Sequence, residues 1–258
     1  GIDTPLVYHD NSLTKDVLNY TDGDKFDVVL MNPPYGGNEK ADVKSHFPSD
    51  MRSSETADLF MVLIMYRLKK NGRAAVIVPD GFLFGADNTK IAIKTKLLRD
   101  FNLHTIIRLP GSIFAPYTSI ATNILFFDNT SADGAPEGYS TKETWFYRLD
   151  MPEGYKHFSK TKSMKLEHCD PIREWWNDRK EIIIADGDEK SRCYPVQELI
   201  DSDCNFDLCK FPKEDEEILP PAELLADYFK KRKALDHEID KTLAEIQRIL
   251  GINVKIDE

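Results

Sequence analysis

Asn32-Pro33-Pro34-Tyr35 is the stretch of this sequence whose residue types suit one particular reaction. Asn32 carries a side-chain carbonyl, a hydrogen-bond acceptor. Pro33 brings a backbone carbonyl but no N–H. Two adjacent prolines form a stiff, extended corner that fixes where that carbonyl points. Tyr35 adds a flat ring. Two acceptors and a ring suit an exocyclic amine on a heterocycle. The lone pair of such an amine is delocalised into its ring, so the amine is a poor nucleophile. Accepting both of its N–H bonds returns electron density to nitrogen, while the Tyr35 face holds the heterocycle by stacking. The corner is expected to be an amine-activating clamp. The same four residues also suit a plain turn that closes a strand.

The elements that would position the corner flank it. "FDVVLM" ahead of Asn32 is a short apolar run with β-branched Val28 and Val29, and reads as a buried strand. Ligands of open α/β sheets bind at the carboxyl ends of strands, where the corner would lie. The polar stretch to about residue 55 reads as a mobile loop. "TADLFMVLIMYRLKKNG" follows as a helix, with Leu59, Val62, Leu63, Tyr66 and Leu68 at helical spacing. Lys69 and Lys70 suit its last turn and Gly72 its stop. "RAAVIVP" reads as a second strand, "NTKIAIKTKLLRDFNL" as a second helix, "HTIIRLP" as a third strand and "SIATNILFFD" as a fourth. This alternation predicts an open α/β sheet in mostly parallel order. Only "GSIFAPYT" joins the last two strands, too little for a crossover, so they are expected to form an antiparallel hairpin.

Beyond residue 128 the pattern loosens. "TWFYRL" reads as one more strand. Residues 151–215 are mixed, with the pair Trp175 and Trp176, a short strand "EIIIA", and a helix start at "YPVQELI". From Pro221 to about Leu250 a stripe of Leu225, Tyr228, Phe229, Leu235, Ile239, Leu243, Ile246 and Leu250 predicts one long amphipathic helix. The expected organisation is an α/β region over 1–150, a connecting region over 151–220 and a helical extension over 221–258.

Composition sets bounds. The 258 residues are 41% hydrophobic and 30% charged, enough for one α/β domain or a domain with an appendage. No apolar run reaches the roughly 18 residues of a membrane span. No secretory leader is visible at Gly1, and "GIDTPLVYHDNSL" reads as the middle of a fold, so the chain is expected to be a fragment. Cys169, Cys193, Cys204 and Cys209 form no CxxC pair, which disfavours a metal site and fits reduced thiols in the cytoplasm. A net charge of −10 argues against a nucleic-acid binder, which usually shows a basic footprint.

"FDVVLMNPPYGG" resembles motif IV of amino-methyltransferases that use S-adenosylmethionine. "ADLFMVLIMYRLKKNGRAAVIVPDGFLFG", "IIRLPGSIFAPYTSIATNILFF" and "PAELLADYFKKRKALDHEIDKTLAEIQRIL" resemble the modification subunit of type I restriction-modification systems, over nearly the whole chain. The resemblance implies a Rossmann-like methyltransferase sheet and methylation of adenine N6 in DNA. It implies S-adenosylmethionine as cofactor, no metal, and DNA, a specificity subunit and a restriction subunit as partners. Asn32, Pro33, Pro34 and Tyr35 match the family's catalytic motif, with Asn32 also beside the cofactor. Asp10 falls where the family places an acidic residue near the cofactor's adenine; a helix cap or turn is the other reading. Phe114 matches an aromatic that packs against the extruded base; a core residue of the hairpin loop is the other reading. Phe60 lies either beside the cofactor or in the core. The family's glycine-rich cofactor loop and first strands have no match here, so this fragment alone is expected to be inactive. Two other functions stay open: a glutamine-N5 methyltransferase, whose amide substrate needs the same two acceptors, and a non-catalytic interaction subunit.

Overall fold

The computed structural model describes residues 3, 5–7, 9–184, 187–209 and 221–251. The chain divides into two compact units, residues 1–212 and 213–258. The first contains strands β1 (Phe26–Met31), β2 (Leu68–Pro79), β3 (Asn102–Arg108), β4 (Thr122–Asp128), β5 (Glu143–Arg148), β6 (Ile182–Ile184) and β7 (Asp188–Pro195). Its helices are α1 (Ala41–Lys44), α2 (Thr56–Arg67), α3 (Asp80–Phe84), α4 (Asn88–Asp100), α5 (Asp170–Asn177) and α6 (Val196–Asp201). The second unit contains α7 (Pro221–Leu250), with exposed Leu235, Ile239 and Leu243 spaced at four residues along it.

The strands form one sheet in the order β1-β2-β4-β3-β5-β7-β6. β1 pairs parallel with β2, and β3 with β5; the other four pairings are antiparallel. Five strands therefore run one way, and β4 and β7 run against them. The expected hairpin is present as β3–β4, but β4 also inserts between β2 and β3, pairing Ala74 with Phe127 and Val76 with Leu125. Both flanks of β4 are then paired, and Leu125 and Phe127 are fully buried. Helices α2 and α4 lie over one sheet face, where Val76, Val78, Ile106 and Phe146 join the larger core. Trp175 of α5 covers the other face with Ile107 and Tyr147. No helix among the described residues is long and apolar enough to cross a membrane.

Besides β1, which forms at the edge of the sheet with only Val29 of its six residues buried and so is not the buried strand expected, two expectations from the sequence need correction. The helix ends at Arg67, not at Gly72. Leu68 already pairs with Phe26, and the register then jumps to Val28 opposite Arg73, so Lys69–Gly72 bulge from the strand. Asn71 takes φ 63° in that bulge. A Cβ on Gly72 would stand 2.9 Å from the Lys69 carbonyl oxygen and 3.0 Å from that of Asp27, so this approach needs glycine. The second correction concerns the polar stretch after the corner. It is not an open loop, because Val43, Phe47 and Met51 are buried in the core.

A buried ion cluster fastens that stretch to the helices. Lys90 Nζ lies 2.8 Å from Asp58 Oδ2 and 2.7 Å from Glu55 Oε1, and Ser53 Oγ donates to Asp58 Oδ2 at 2.6 Å. Burial pulls the Lys90 ammonium down, but the hydrogen bonds to Asp58 and Glu55 outweigh it and leave its pKa raised. Removing one member of a buried pair strands the other charge. Lys90→Met is expected to destabilise the sheet unit by roughly 3–5 kcal/mol in urea unfolding, and adding Asp58→Leu should recover much of that loss. A single-variant cost within experimental error would show that the cluster is not what fastens this segment.

Candidate active site

The chain leaves the sheet at Met31, the last β1 residue paired with β2, opposite Val76. Pro33 and Pro34 cannot extend the ladder, since neither has an N–H to give. Pro33 is buried, Tyr35 half-buried, and Asn32 and Pro34 exposed. Gly36 and Gly37 follow at φ 75° and 101°, a region side-chain-bearing residues avoid, and they turn the chain back. Asn38 then pairs with Glu55 in a single antiparallel bridge. Local sequence thus builds the corner: apolar strand, two prolines, two glycines.

Within the corner the Tyr35 hydroxyl donates to Asn32 Oδ1. Burial pushes the Tyr35 phenol up to about 12, so it remains a donor at neutral pH. A carbonyl oxygen has two lone pairs, so Asn32 can still accept from an incoming amine beside Tyr35. Phe114, in the loop between β3 and β4, closes over Tyr35. The two ring centroids lie 5.9 Å apart with planes inclined at 58°. A base held flat between two rings needs about 7 Å, twice an ordinary carbon–carbon contact. The rings therefore touch each other here, and any flat ligand between them would require them to part.

A buried polar network underlies the Phe114 loop. Asn123, bracketed by Val78 and Arg108, donates Nδ2 to Asp80 Oδ1 at 2.5 Å. Arg108 Nη2 lies 3.7 Å from the same oxygen and also pairs with Asp207. Leu109 N–H donates to the Thr122 carbonyl at 3.0 Å. Together these bonds tie the ends of β2, β3 and β4 at the edge where the corner sits. Sequence reasoning missed Asp80, Arg108, Asn123 and Asp207. The signal available was polar residues at strand ends, "VPDG", "IIRLP" and "ATN", but nothing local says that they meet.

Asn32, Tyr35 and Phe114 are brought together; Asp10 is not joined to them by any side-chain contact among the described residues. Asp10 is exposed, and its Oδ1 accepts the Asn11 N–H at 2.7 Å. Phe60 is partly buried against the main core. The four cysteines are free, and no group of three metal-binding side chains occurs among the described residues.

Comparison with known proteins agrees with this architecture. A family model described as N-6 DNA Methylase matches residues 1–218. The methylase subunit of the type I restriction enzyme EcoEI from Escherichia coli is 40% identical over 255 residues, which is 97% of this chain and 49% of that protein. The EcoKI methylase subunit of Escherichia coli K12 is 31% identical over 185 residues, 64% of this chain and 33% of that protein. Among solved structures, a chain from work on assembly of a type I R-M system superposes with a TM-score of 0.69 at 32% identity, covering 96% of this chain and 50% of that one. A modification subunit from Vibrio vulnificus YJ016, assigned to a type I restriction enzyme, gives 0.65 at 41% identity, covering 74% and 38%. The chain spans about half the length of the EcoEI subunit it matches.

Proposed function

The chain belongs to the N-6 DNA methylase family, and from that premise we propose that it supplies the amine-activating side of an adenine-N6 DNA methyltransferase site, within the modification subunit of a type I restriction-modification system. One observation carries the reading: Asn32, Tyr35 and Phe114 meet at the carboxyl end of β1.

The chemistry follows from the corner. An adenine turned out of the duplex parts Tyr35 from Phe114 and stacks on Tyr35. Asn32 Oδ1 and the Pro33 carbonyl each accept one N6–H. The amine nitrogen then takes the methyl group and releases one proton to water. When bound, S-adenosylmethionine would supply that methyl from its sulfonium sulfur, the S–CH3 bond breaking to leave a neutral thioether. The residues present fit the transfer end of this cofactor: Asn32 is exposed at the strand end, beside the position the amine would take. They do not enclose the rest of it, since Asp10 is not assembled with the corner. This chain alone is therefore expected to bind S-adenosylmethionine weakly; low-micromolar affinity by isothermal titration would overturn that.

The partners proposed are DNA, a specificity subunit and a restriction subunit, and the proposed location is the cytoplasm. Methyl transfer by the native protein to an adenine-containing duplex, with none to a glutamine peptide, tests the reading against a glutamine methyltransferase.

The two roles of Tyr35 can be separated. Tyr35→Phe keeps the ring and loses the bond to Asn32, and kcat/KM should stay within about threefold of wild type. Tyr35→Ala loses stacking worth about 1–3 kcal/mol, so kcat/KM should fall roughly 5- to 150-fold. Equal losses in both variants would mean that the hydroxyl, not the ring, is what the site uses.

A further inference from the structure

Beyond β5 the chain crosses the edge of the sheet where the corner lies, and its composition changes. Residues 151–166 hold Lys156, Lys160, Lys162 and Lys165 against one carboxylate, Glu153, a local balance of +3 in a chain of net charge −10. All four lysines are exposed. The segment is nonetheless built rather than loose. Phe158 is 1% exposed, and its N–H donates to Ser112 Oγ at 2.9 Å. The rings of Tyr155, Phe158 and His168 close on one another at centroid distances of 5.5, 5.0 and 5.9 Å. Ser159 and Lys162 exchange backbone hydrogen bonds of 3.1 and 3.2 Å.

The lysines divide by what they touch. Lys162 is structural: its Nζ lies 3.9 Å from the centre of the Tyr155 ring and donates to the Gly154 carbonyl at 2.7 Å. Among the described residues the Lys165 ammonium pairs with one exposed carboxylate, Glu167, at 3.4 Å, a pairing worth little in water. Lys156 and Lys160 have no acidic partner among the described residues.

Ser112 decides what these cations face. It lies on the same loop as Phe114, two residues away, so one hydrogen bond joins the lysine-bearing segment to the ring that closes over Tyr35. Next to a pocket that takes a base from a duplex, the anions within reach are the phosphates of that duplex. We infer that Lys156, Lys160 and Lys165 bind the DNA backbone beside the extruded adenine. The inference rests on the reading of the corner as a base site. Lysine suits the task as a point charge toward phosphate. Such contacts fix where the duplex lies without reading its sequence. They also resolve the charge conflict, because a local basic patch attracts a polyanion even on an acidic protein.

The test is a triple variant, Lys156→Gln with Lys160→Gln and Lys165→Gln, made in the native protein with its partner subunits. Lys162 stays intact to keep the fold of the segment, and thermal melting should match wild type. Duplex affinity is measured by fluorescence anisotropy across a range of salt. Each lost phosphate contact should lower the slope of log K against log salt by about 0.9, so the slope should fall by roughly 2–3. Affinity near 50 mM salt should drop about tenfold or more, and the gap should narrow as salt rises. The corresponding triple Lys→Arg variant should keep the wild-type slope. Purely structural damage would lower affinity equally at every salt concentration. An unchanged slope overturns the inference, and so does loss of subunit assembly with an unchanged slope, which would mean that the lysines face an acidic protein surface. Asn32→Ala is run in parallel. If it abolishes methylation while the Gln variant keeps the wild-type slope, only the lysine inference fails. If it methylates normally, the reading of the corner fails with it.

Discussion

Asn32→Ala, in the native protein, is expected to lower the methylation rate at saturating duplex by about a hundredfold or more, with duplex affinity nearly unchanged. The reason is the direction in which charge moves. As the adenine nitrogen attacks, it loses its lone pair and gains positive charge. Its N–H groups become stronger donors, so an acceptor aimed at them binds the transition state more tightly than the ground state. That contact should therefore appear in kcat and not in duplex affinity. The variant should also melt like wild type, because Asn32 is exposed and its described side-chain partner is Tyr35 of the same corner. Single-turnover kinetics on a duplex with one target adenine would check the rate. A rate within threefold of wild type would mean that the amine is activated elsewhere.

Replacing Leu235, Ile239 and Leu243 with Ser should abolish assembly with the specificity subunit in the native protein. These residues follow one another at four-residue spacing on α7, and each is exposed on that helix. An amphipathic helix of this length needs an apolar surface to cover its stripe. If a partner helix supplies it, each side chain contributes about 1.5–3 kcal/mol, and losing all three costs roughly 5–9 kcal/mol. That is more than three powers of ten in Kd. Charged residues between the apolar ones would set register more than affinity. Size-exclusion chromatography of the co-expressed subunits reads assembly, and calorimetry reads the sheet unit. A large fall in the melting temperature of the sheet unit would instead mean that the stripe packs on its own chain.

Much of the fold could be read from local pattern. Strand β1 and the corner follow from "FDVVLMNPPYGG", where β-branched residues, paired prolines and paired glycines each act on their own backbone. Helix α4 starts where Asp87 caps it, its side chain accepting the Lys90 N–H at 3.0 Å. The β3–β4 hairpin followed from the shortness of its connection. The end of α2 was misread because Lys69, Lys70 and Gly72 suit a helix terminus as well as they suit a bulge. The deciding fact is the pairing of Leu68 with Phe26, more than forty residues away in the chain. The stretch after the corner was misread for a similar reason. Val43, Phe47 and Met51 do recur every four residues, but Pro48 breaks the run and the other positions between them are polar, so no continuous helix announces their buried face.

The sequence alone determined the local form of the corner proposed for catalysis on the β1 side, because an acceptor, a stiff turn and a ring sit within four consecutive positions. It also determined the family, through long segments spread over most of the chain. Only the tertiary structure decided that β4 inserts between β2 and β3, since strand order depends on which faces the whole sheet can bury. It alone brought Phe114 onto Tyr35 and hung the lysines of 156–165 beside them through Ser112. Those contacts join segments from three separate strand ends, and a local pattern has no means of specifying where distant strand ends meet.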